Sequence, residues 1–409
     1  MPLGLYISVP FCRSKCSYCN FASGVFSRER FEQYVERVSA DLAGAAAVAE
    51  RAGGCLERSA DTLYLGGGTP TALAPQQLES LFAAVRRHFT LSLDAEITVE
   101  CAPGSLSPAM LDTLIRCGVN RVSLGVQSFV DAEAAAVGRL HTRVTVLDDV
   151  ARLRAAGIAN LNIDLIAGLP HQTAATWDYS AAEAIALGAP HVSIYMLEVD
   201  EDSRLGSELL AGGTRYHAHF VPDDDATADF YLRACERLQA AGIAQYEISN
   251  FARPGAESRH NLKYWTRQPY LGFGVDAHSM LPALEPAFES VRFSTPDSLD
   301  DYLAGKPGTI TPVTQQAALE ESFFLGLRLG RGIDLREVAA HFGAPAIENL
   351  HPVIAQSIAS GLLERGGDRI RLTPRGRLLS NEVFAGFLSA NQPGRQLPPG
   401  RVELSAKIH

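Results

Sequence analysis

Leu5-Tyr6-Ile7-Ser8-Val9-Pro10-Phe11-Cys12-Arg13-Ser14-Lys15-Cys16-Ser17-Tyr18-Cys19 is the stretch around which the rest of the chain is organised. Its first five residues predict a buried strand. That strand empties into a loop carrying three thiols at C-x3-C-x2-C spacing. Such a loop can hold a [4Fe–4S] cube by three irons, and the fourth iron then keeps open positions for a small molecule. A fourth cysteine would close the site and leave mainly electron transfer. The competing readings are a zinc site short of its fourth ligand and chance spacing. The other four cysteines, Cys55, Cys101, Cys117 and Cys235, stand in apolar surroundings and are expected to be buried, inert thiols.

At 409 residues the chain is long enough for two or three domains. A hydrophobic content of 46% with 20% charged residues predicts a globular chain with ample core. No apolar run approaches the ~18 residues of a membrane span, and no basic-then-apolar leader is seen, so a cytoplasmic location is expected. A net charge of −10 argues against nucleic acid as a partner, because phosphate binding needs basic surface.

Strand and helix patterns alternate over the first 200 residues. Strands are predicted at 5–9, 62–65, 97–100, 121–127, 160–165 and 191–196. Apolar residues at helical spacing lie between them, as in Phe31, Tyr34, Val35, Val38 and Leu42. Helices near 108–117, 143–156 and 174–187 each run into a glycine. Six such units mean parallel strands, in either a partial (β/α) barrel or an open doubly wound sheet. Both gather ligands at the C-terminal strand ends. The polar residues of interest fall at those ends: the cysteine loop, Gly66-Gly67-Gly68-Thr69-Pro70, Glu100, Gln127 and Asp164, with Arg139 just beyond. Carboxylates suit ribose hydroxyls and Arg suits a carboxylate. Taken singly, a tight turn or a solvated rim explains each of them; taken together, they predict ligand contact.

Domain limits are expected at 1–205 for the β/α unit, 206–311 for its extension, 312–388 for a winged-helix-like domain and 389–409 for an irregular tail. Leu205 to Pro222 reads as loop. Within the extension, His260-Asn261-x2-Tyr264-Trp265 is either a packed aromatic cluster or, through imidazole and flat rings, a haem contact. The winged-helix-like segment has no Arg or Lys between 337 and 364, which predicts a structural or protein-contact role over DNA binding.

Four stretches together carry a resemblance: Tyr6-Ile7-Ser8-Val9-Pro10-Phe11-Cys12-x3-Cys16-x-Tyr18-Cys19, Gly66-Gly67-Gly68-Thr69-Pro70, Gly125-Val126-Gln127-Ser128-Phe129 and Asn162-Ile163-Asp164-Leu165-Ile166-x-Gly168-Leu169-Pro170. They resemble the oxygen-independent coproporphyrinogen oxidase-like branch of the radical S-adenosylmethionine (SAM) superfamily, over about residues 4–385. His260-Asn261-x2-Tyr264-Trp265 resembles the signature of the HemW-type haem chaperones within that branch. The coproporphyrinogen dehydrogenases carry a longer N-terminal lead, and a further Cys where this chain has Phe21. The usual lead-in His is Ser8 here.

The resemblance implies an α/β fold, a partial (β/α)6 radical SAM barrel with a C-terminal helical, winged-helix-like domain. It implies a [4Fe–4S] cluster on Cys12, Cys16 and Cys19, with the amino and carboxylate groups of SAM on the fourth iron. SAM contacts would fall on Tyr6, Gly67, Gly68, Thr69 and Glu100. The positions of the dehydrogenase's second SAM match Tyr18, Gln127, Arg139 and Asp164. Haem would lie at His260, Tyr264 and Trp265. The function implied is that of a haem chaperone passing haem to an acceptor protein, with flavodoxin or ferredoxin as electron donor if SAM is cleaved. Alternatives are a coproporphyrinogen III dehydrogenase, a radical SAM methyltransferase and, from another class, a winged-helix regulator with a redox-sensing cluster, which the acidic balance disfavours.

Overall fold

The computed structural model describes residues 2–389, so the expected tail lies, beyond Ser389, outside the described residues. Six parallel strands stand side by side in chain order: β1 (Leu3–Val9), β2 (Ser59–Gly67), β3 (Thr90–Cys101), β4 (Arg121–Gln127), β5 (Asn160–Ala167) and β6 (His191–Met196). A doubly wound sheet reverses its strand order at a switch point, and this one does not. The order therefore selects the partial barrel from the two architectures that the alternation allowed.

Both edges of the barrel are extended. The short strands β7 (Ala244–Gln245) and β8 (Asn250–Ala252) continue from β6, with β8 antiparallel to it. On the other side β9 (Tyr270–Gly274) adds parallel to β1. Then β10 (His278–Pro282), β11 (Ser290–Ser294) and β12 (Ile310–Val313) run antiparallel, completing a 12-stranded sheet.

The crossover helices form where the sequence offers a stripe and caps. Arg28–Ala52 buries Tyr34, Val35, Val38, Leu42, Ala45 and Ala49, and it stops at Gly53, whose φ of 78° a side chain would resist. Arg143–Ala155 and Ala174–Ala186 start at Thr142 and Thr173, whose hydroxyls accept the amides of Thr145 and Thr176. The stretch expected as loop over 205–222 holds instead a helix, Arg204–Leu210, capped by Ser203, and a short 3₁₀ turn, Arg215–Phe220. Two helical turns are too short to show a period, which is why the pattern was silent there.

Because side chains alternate across a strand, each barrel strand has two faces. The outward set, including Leu63, Leu65, Val99, Val122, Leu124, Leu161, Ile163, Leu165, Val192 and Ile194, is buried under the helices. The inward set is polar yet buried: Thr62, Thr98, Arg121, Ser123, Asn162, His191 and Ser193. Register brings them into layers, with Thr98 beside Arg121 and Glu100 beside Ser123, Asn162 and His191. The barrel thus has an apolar jacket and a polar lumen.

A second core forms the C-terminal domain. It joins helices Gln315–Gly326, Leu335–Phe342, His351–Ala359 and Ser380–Ser389 to an antiparallel sheet of β13 (Ile333–Asp334), β14 (Leu363–Gly366) and β15 (Arg369–Leu372). Phe323 and Phe387 stack at its centre, 4.7 Å apart. A smaller cluster of Tyr264, Trp265, Tyr270, Met280, Leu325 and Leu329 seams the domain to the barrel. Among the described residues no helix is long and apolar enough to cross a membrane.

Candidate cluster and cofactor site

The chain leaves β1 at Val9 and is fastened at once. The amide of Cys12 donates to Gly24 O (2.8 Å) and that of Gly24 to Pro10 O (2.9 Å), while Phe11 stacks on Phe31 at 3.8 Å. Further on, Ser17 N donates to Val137 O (3.1 Å) and Ser14 Oγ to Gly138 O (2.9 Å). From the far side Leu205 N donates to Ser17 O (2.8 Å), and the Arg204 guanidinium bonds Lys15 O. The cysteine loop is therefore framed through its backbone.

Each thiol has a polar neighbour. Thr69 Oγ1 lies 3.9 Å from Cys12 Sγ, Arg139 Nη1 3.6 Å from Cys16 Sγ, and Ser23 Oγ 3.8 Å from Cys19 Sγ. Burial, foremost, holds the thiols of Cys12 and Cys19 above their usual range. Their protons leave readily only when a cation takes their place. Among the described residues no three His, Cys, Asp or Glu converge on a point where one ion would sit. A cluster asks for something else, one thiolate per iron, and the framed loop with a guanidinium beside Cys16 fits it.

The glycines after β2 fit closely against this loop. The amides of Gly68 and Thr69 donate to Val9 O and Phe11 O, both at 2.7 Å. A Cβ on Gly68 would come within 2.8 Å of those same two carbonyl oxygens and 3.1 Å of Cys12 Sγ. Gly67, at φ 98°, gives its amide to Glu100 Oε2 (3.1 Å), and Tyr64 OH donates to Glu100 Oε1 (2.8 Å). The tight-turn reading and the ligand reading of these glycines are therefore compatible, since the turn lies against Cys12.

The remaining positions line one cleft of about 1680 Å³, which runs from the cysteine loop to the C-terminal domain. Cys12, Cys16, Cys19, Tyr18, Gly67, Gly68, Thr69, Glu100, Gln127, Arg139 and Asp164 all face it. Arg139 bonds Gly125 O but leaves its Nε buried without a partner, and so does Gln127 with its Oε1. Gln127 follows a bulge and holds φ 69°, a backbone strain of the kind that persists where side-chain direction matters. Asp164 accepts from Ser123 Oγ (2.9 Å) and Asn162 Nδ2 (2.7 Å). Tyr6 is the exception among the SAM-contact positions. It is buried outside the cleft lining, stacked against His260 and tilted against Tyr64.

Sequence reading missed the cleft's middle. Arg121, 1% exposed, faces the lumen with Nε unpartnered, and Asn162 and Ser193 tie the floor to Asn250 and, through His191, to Tyr246. The available signal was the alternation of polar with apolar residues in parallel strands, which normally read as continuous apolar runs.

Two expectations need correction. Cys55 is exposed, not buried, and Cys235 is only partly covered, whereas Cys101 and Cys117 are buried as expected. The haem contact expected at His260 and Tyr264 does not fit their placement. His260 is 1% exposed, with Nδ1 2.8 Å from Thr62 Oγ1 and Nε2 2.8 Å from Tyr264 OH. Its helix, Arg259–Trp265, is pinned near the start of β1. Glu96 accepts the amides of Arg259 and His260, and Lys263 pairs with Asp61 at 2.7 Å. Neither imidazole nitrogen is left for iron, so the alternative of a packed aromatic cluster describes these two residues. Trp265 differs in lining the far end of the cleft, where Arg328 lies 4.2 Å over its ring.

Burial raises the Glu100 carboxyl to about 7, with Asp164 adding to it and Tyr64 and Gly67 opposing. An acid raised in the folded state binds more protons than the unfolded chain between the ordinary carboxylate range and pH 7. Stability therefore falls as pH rises through that window. Glu100→Gln is expected to raise stability at pH 8 by about 1–3 kcal/mol and to leave it unchanged near pH 4, as read by denaturant unfolding at both pH values.

Comparison with known proteins now gives the chain its place. Residues 6–184 match the model of the radical SAM superfamily, and residues 313–379 match that of the HemN C-terminal domain. The heme chaperone HemW of Bacillus subtilis (strain 168) is 34% identical over 388 residues, 94% of this chain and 98% of that protein. The chain belongs to the HemW family of radical SAM proteins. The HemW of Lactococcus lactis subsp. lactis is 33% identical over 391 residues, covering 95% of this chain and 97% of its own. The solved structure of Escherichia coli coproporphyrinogen III oxidase (HemN) superposes with a TM-score of 0.80 over 94% of this chain and 90% of that one. At 23% identity it speaks for the fold alone.

Proposed function

We propose that this protein is a cytoplasmic haem chaperone that binds a [4Fe–4S] cluster, SAM and haem and delivers haem to an acceptor protein. The observation that carries the reading is the gathering of the cysteine triad and of the SAM-contact positions other than Tyr6 on one cleft, in a chain alike over nearly its whole length to proteins named heme chaperones. Cys12, Cys16 and Cys19 would hold the cluster. Gly67, Gly68, Thr69 and Glu100 would hold the first SAM, and Tyr18, Gln127, Arg139 and Asp164 would line the space beyond. When bound, the cluster would supply one electron, taken from a donor such as flavodoxin or ferredoxin, for reductive cleavage of SAM into methionine and a 5′-deoxyadenosyl radical.

The chain's own residues frame the loop, hold a guanidinium beside Cys16 and keep a protonatable carboxyl, Glu100, beside the glycine turn. Phe21, 41% exposed, stands where the dehydrogenases carry a further thiol, which favours the chaperone over decarboxylation of coproporphyrinogen III. The test is anaerobic. Reconstituted protein is expected to bind haemin with a Soret change and to pass it to an apo-haem protein. With SAM, dithionite and coproporphyrinogen III it is expected to form no vinyl product. Vinyl product, or no haem binding, would overturn the proposal.

A further inference from the structure

If the protein carries haem and His260 is closed to iron, the ligand must come from elsewhere. A surface that offers an imidazole to the iron, a flat apolar face and cations for two propionates can hold a haem. One exposed surface offers all three. His171 and His217 lie together, His171 Nε2 3.0 Å from His217 Nδ1, with ring centroids 5.0 Å apart. The ring of Phe220, 47% exposed, lies 4.1 Å from that of His171. Tyr216 stands between two guanidiniums, Arg204 at 5.5 Å and Arg215 at 5.4 Å from its ring.

The backbone here is left-handed at three positions: His171, Tyr216 and His217 have φ of 68°, 54° and 60°, values uncommon outside glycine, though His adopts them more readily than most residues. The bond from His171 N to Phe220 O (2.9 Å) ties the two segments together. The two imidazoles are exposed and meet each other.

We infer that His171, His217 and Phe220, with Arg204 and Arg215 beside them, form the surface on which this protein holds haem, His217 Nε2 being the iron ligand. The inference rests on the haem-chaperone reading. In the ligating tautomer His217 Nδ1 carries the proton and donates to His171 Nε2. A ligating imidazole is oriented and made more basic by such a partner. His171 is thus a positioning residue. The same segment touches the cysteine loop, through Leu205 N to Ser17 O and the Arg204 guanidinium to Lys15 O. Haem on this surface would lie on the segment that covers the candidate cluster loop.

The test titrates haemin into the full chain, anaerobically reconstituted, and follows the Soret band and the ligand-dependent visible bands. Wild-type protein is expected to show an imidazole-ligated spectrum. His171→Ala is expected to weaken binding about 10- to 100-fold, and His217→Ala to weaken it at least as much and to lose the imidazole signature. Metal-free protoporphyrin IX has no iron to ligate. Its binding is expected to survive His217→Ala and to weaken with Arg215→Glu. His341→Ala, at an exposed histidine elsewhere, is expected to bind haemin as wild type does. If wild-type protein binds no haemin, the chaperone reading itself fails. If wild type binds while His217→Ala binds equally with the same spectrum, or if His341→Ala weakens binding as much, this assignment alone is overturned.

Discussion

Replacing Cys16 with serine is expected to abolish the iron–sulfur centre while leaving the fold in place. Cys16 is 8% exposed at the middle of the loop, with the Arg139 guanidinium 3.6 Å from its sulfur. Iron–sulfur clusters are held by thiolates, and a hydroxyl is a poor substitute. With two thiols left, a cube would lose one of its three protein ligands, and two of its four irons would have none. The loop's frame uses backbone atoms, Cys12 N to Gly24 O and Ser17 N to Val137 O, which the substitution does not touch. Iron and sulfide analysis after reconstitution is therefore expected to fall to background with an unchanged far-ultraviolet circular dichroism spectrum. Cys55→Ser, at an exposed thiol outside the loop, is expected to retain full iron.

The second large effect concerns His260. Its substitution by alanine would strand the hydroxyls of Thr62 and Tyr264 and open a void in a fully buried site. One lost hydrogen bond costs about 1 kcal/mol, a stranded buried polar group about 1–3 kcal/mol, and a cavity more. A destabilisation of about 3–5 kcal/mol is expected by denaturant unfolding. Burial first, then Lys263 and Arg121, depress the His260 imidazole to about 3. A depressed base keeps its stabilising contribution above its unfolded value near 6.5 and loses it as pH falls toward 3, because only the unfolded chain takes up the proton there. Wild-type stability is thus expected to fall as pH drops from 6.5 to about 3, and His260→Ala to flatten that slope. At neutral pH, where the variant remains folded, it is expected to keep haem binding. Loss of haem from a demonstrably folded His260→Ala protein would return the ligand to this residue.

These expectations separate what local sequence carries from what it cannot. The β/α alternation was legible because Leu63, Leu65, Val122 and Leu124 repeat on one strand face and Tyr34, Val38 and Leu42 on one helix face. Strand order is not written in any local period. Barrel and doubly wound sheet stayed open until the pairing of β1 through β6 in sequence chose between them. Strands β9 to β12, which extend the sheet beyond β1, are short, and a Cβ on Gly272 would approach His278 O to 2.3 Å, so their pairing depends on close backbone approach that hydrophobic pattern does not encode.

The site divided along the same line. Cys12, Cys16 and Cys19 announced themselves by spacing, and the polar strand ends by position; the cleft gathers them. His260 did not reveal its environment, since residue type says nothing about whether Thr62 and Tyr264 will occupy both nitrogens. The pairing of His171 with His217 crosses 46 residues of sequence and a stretch whose short helical turns show no period, so it had no signature to read.

The central claim is a three-thiolate cluster whose open iron meets SAM in the cleft beside Glu100 and Gly67. Electron paramagnetic resonance of the dithionite-reduced, anaerobically reconstituted protein, with and without SAM, tests it most directly. The account predicts a [4Fe–4S]⁺ signal in the wild type that shifts when SAM is added, with no such signal in Cys16→Ser. A reduced-cluster signal that SAM leaves unchanged, or one that persists in Cys16→Ser, would contradict it.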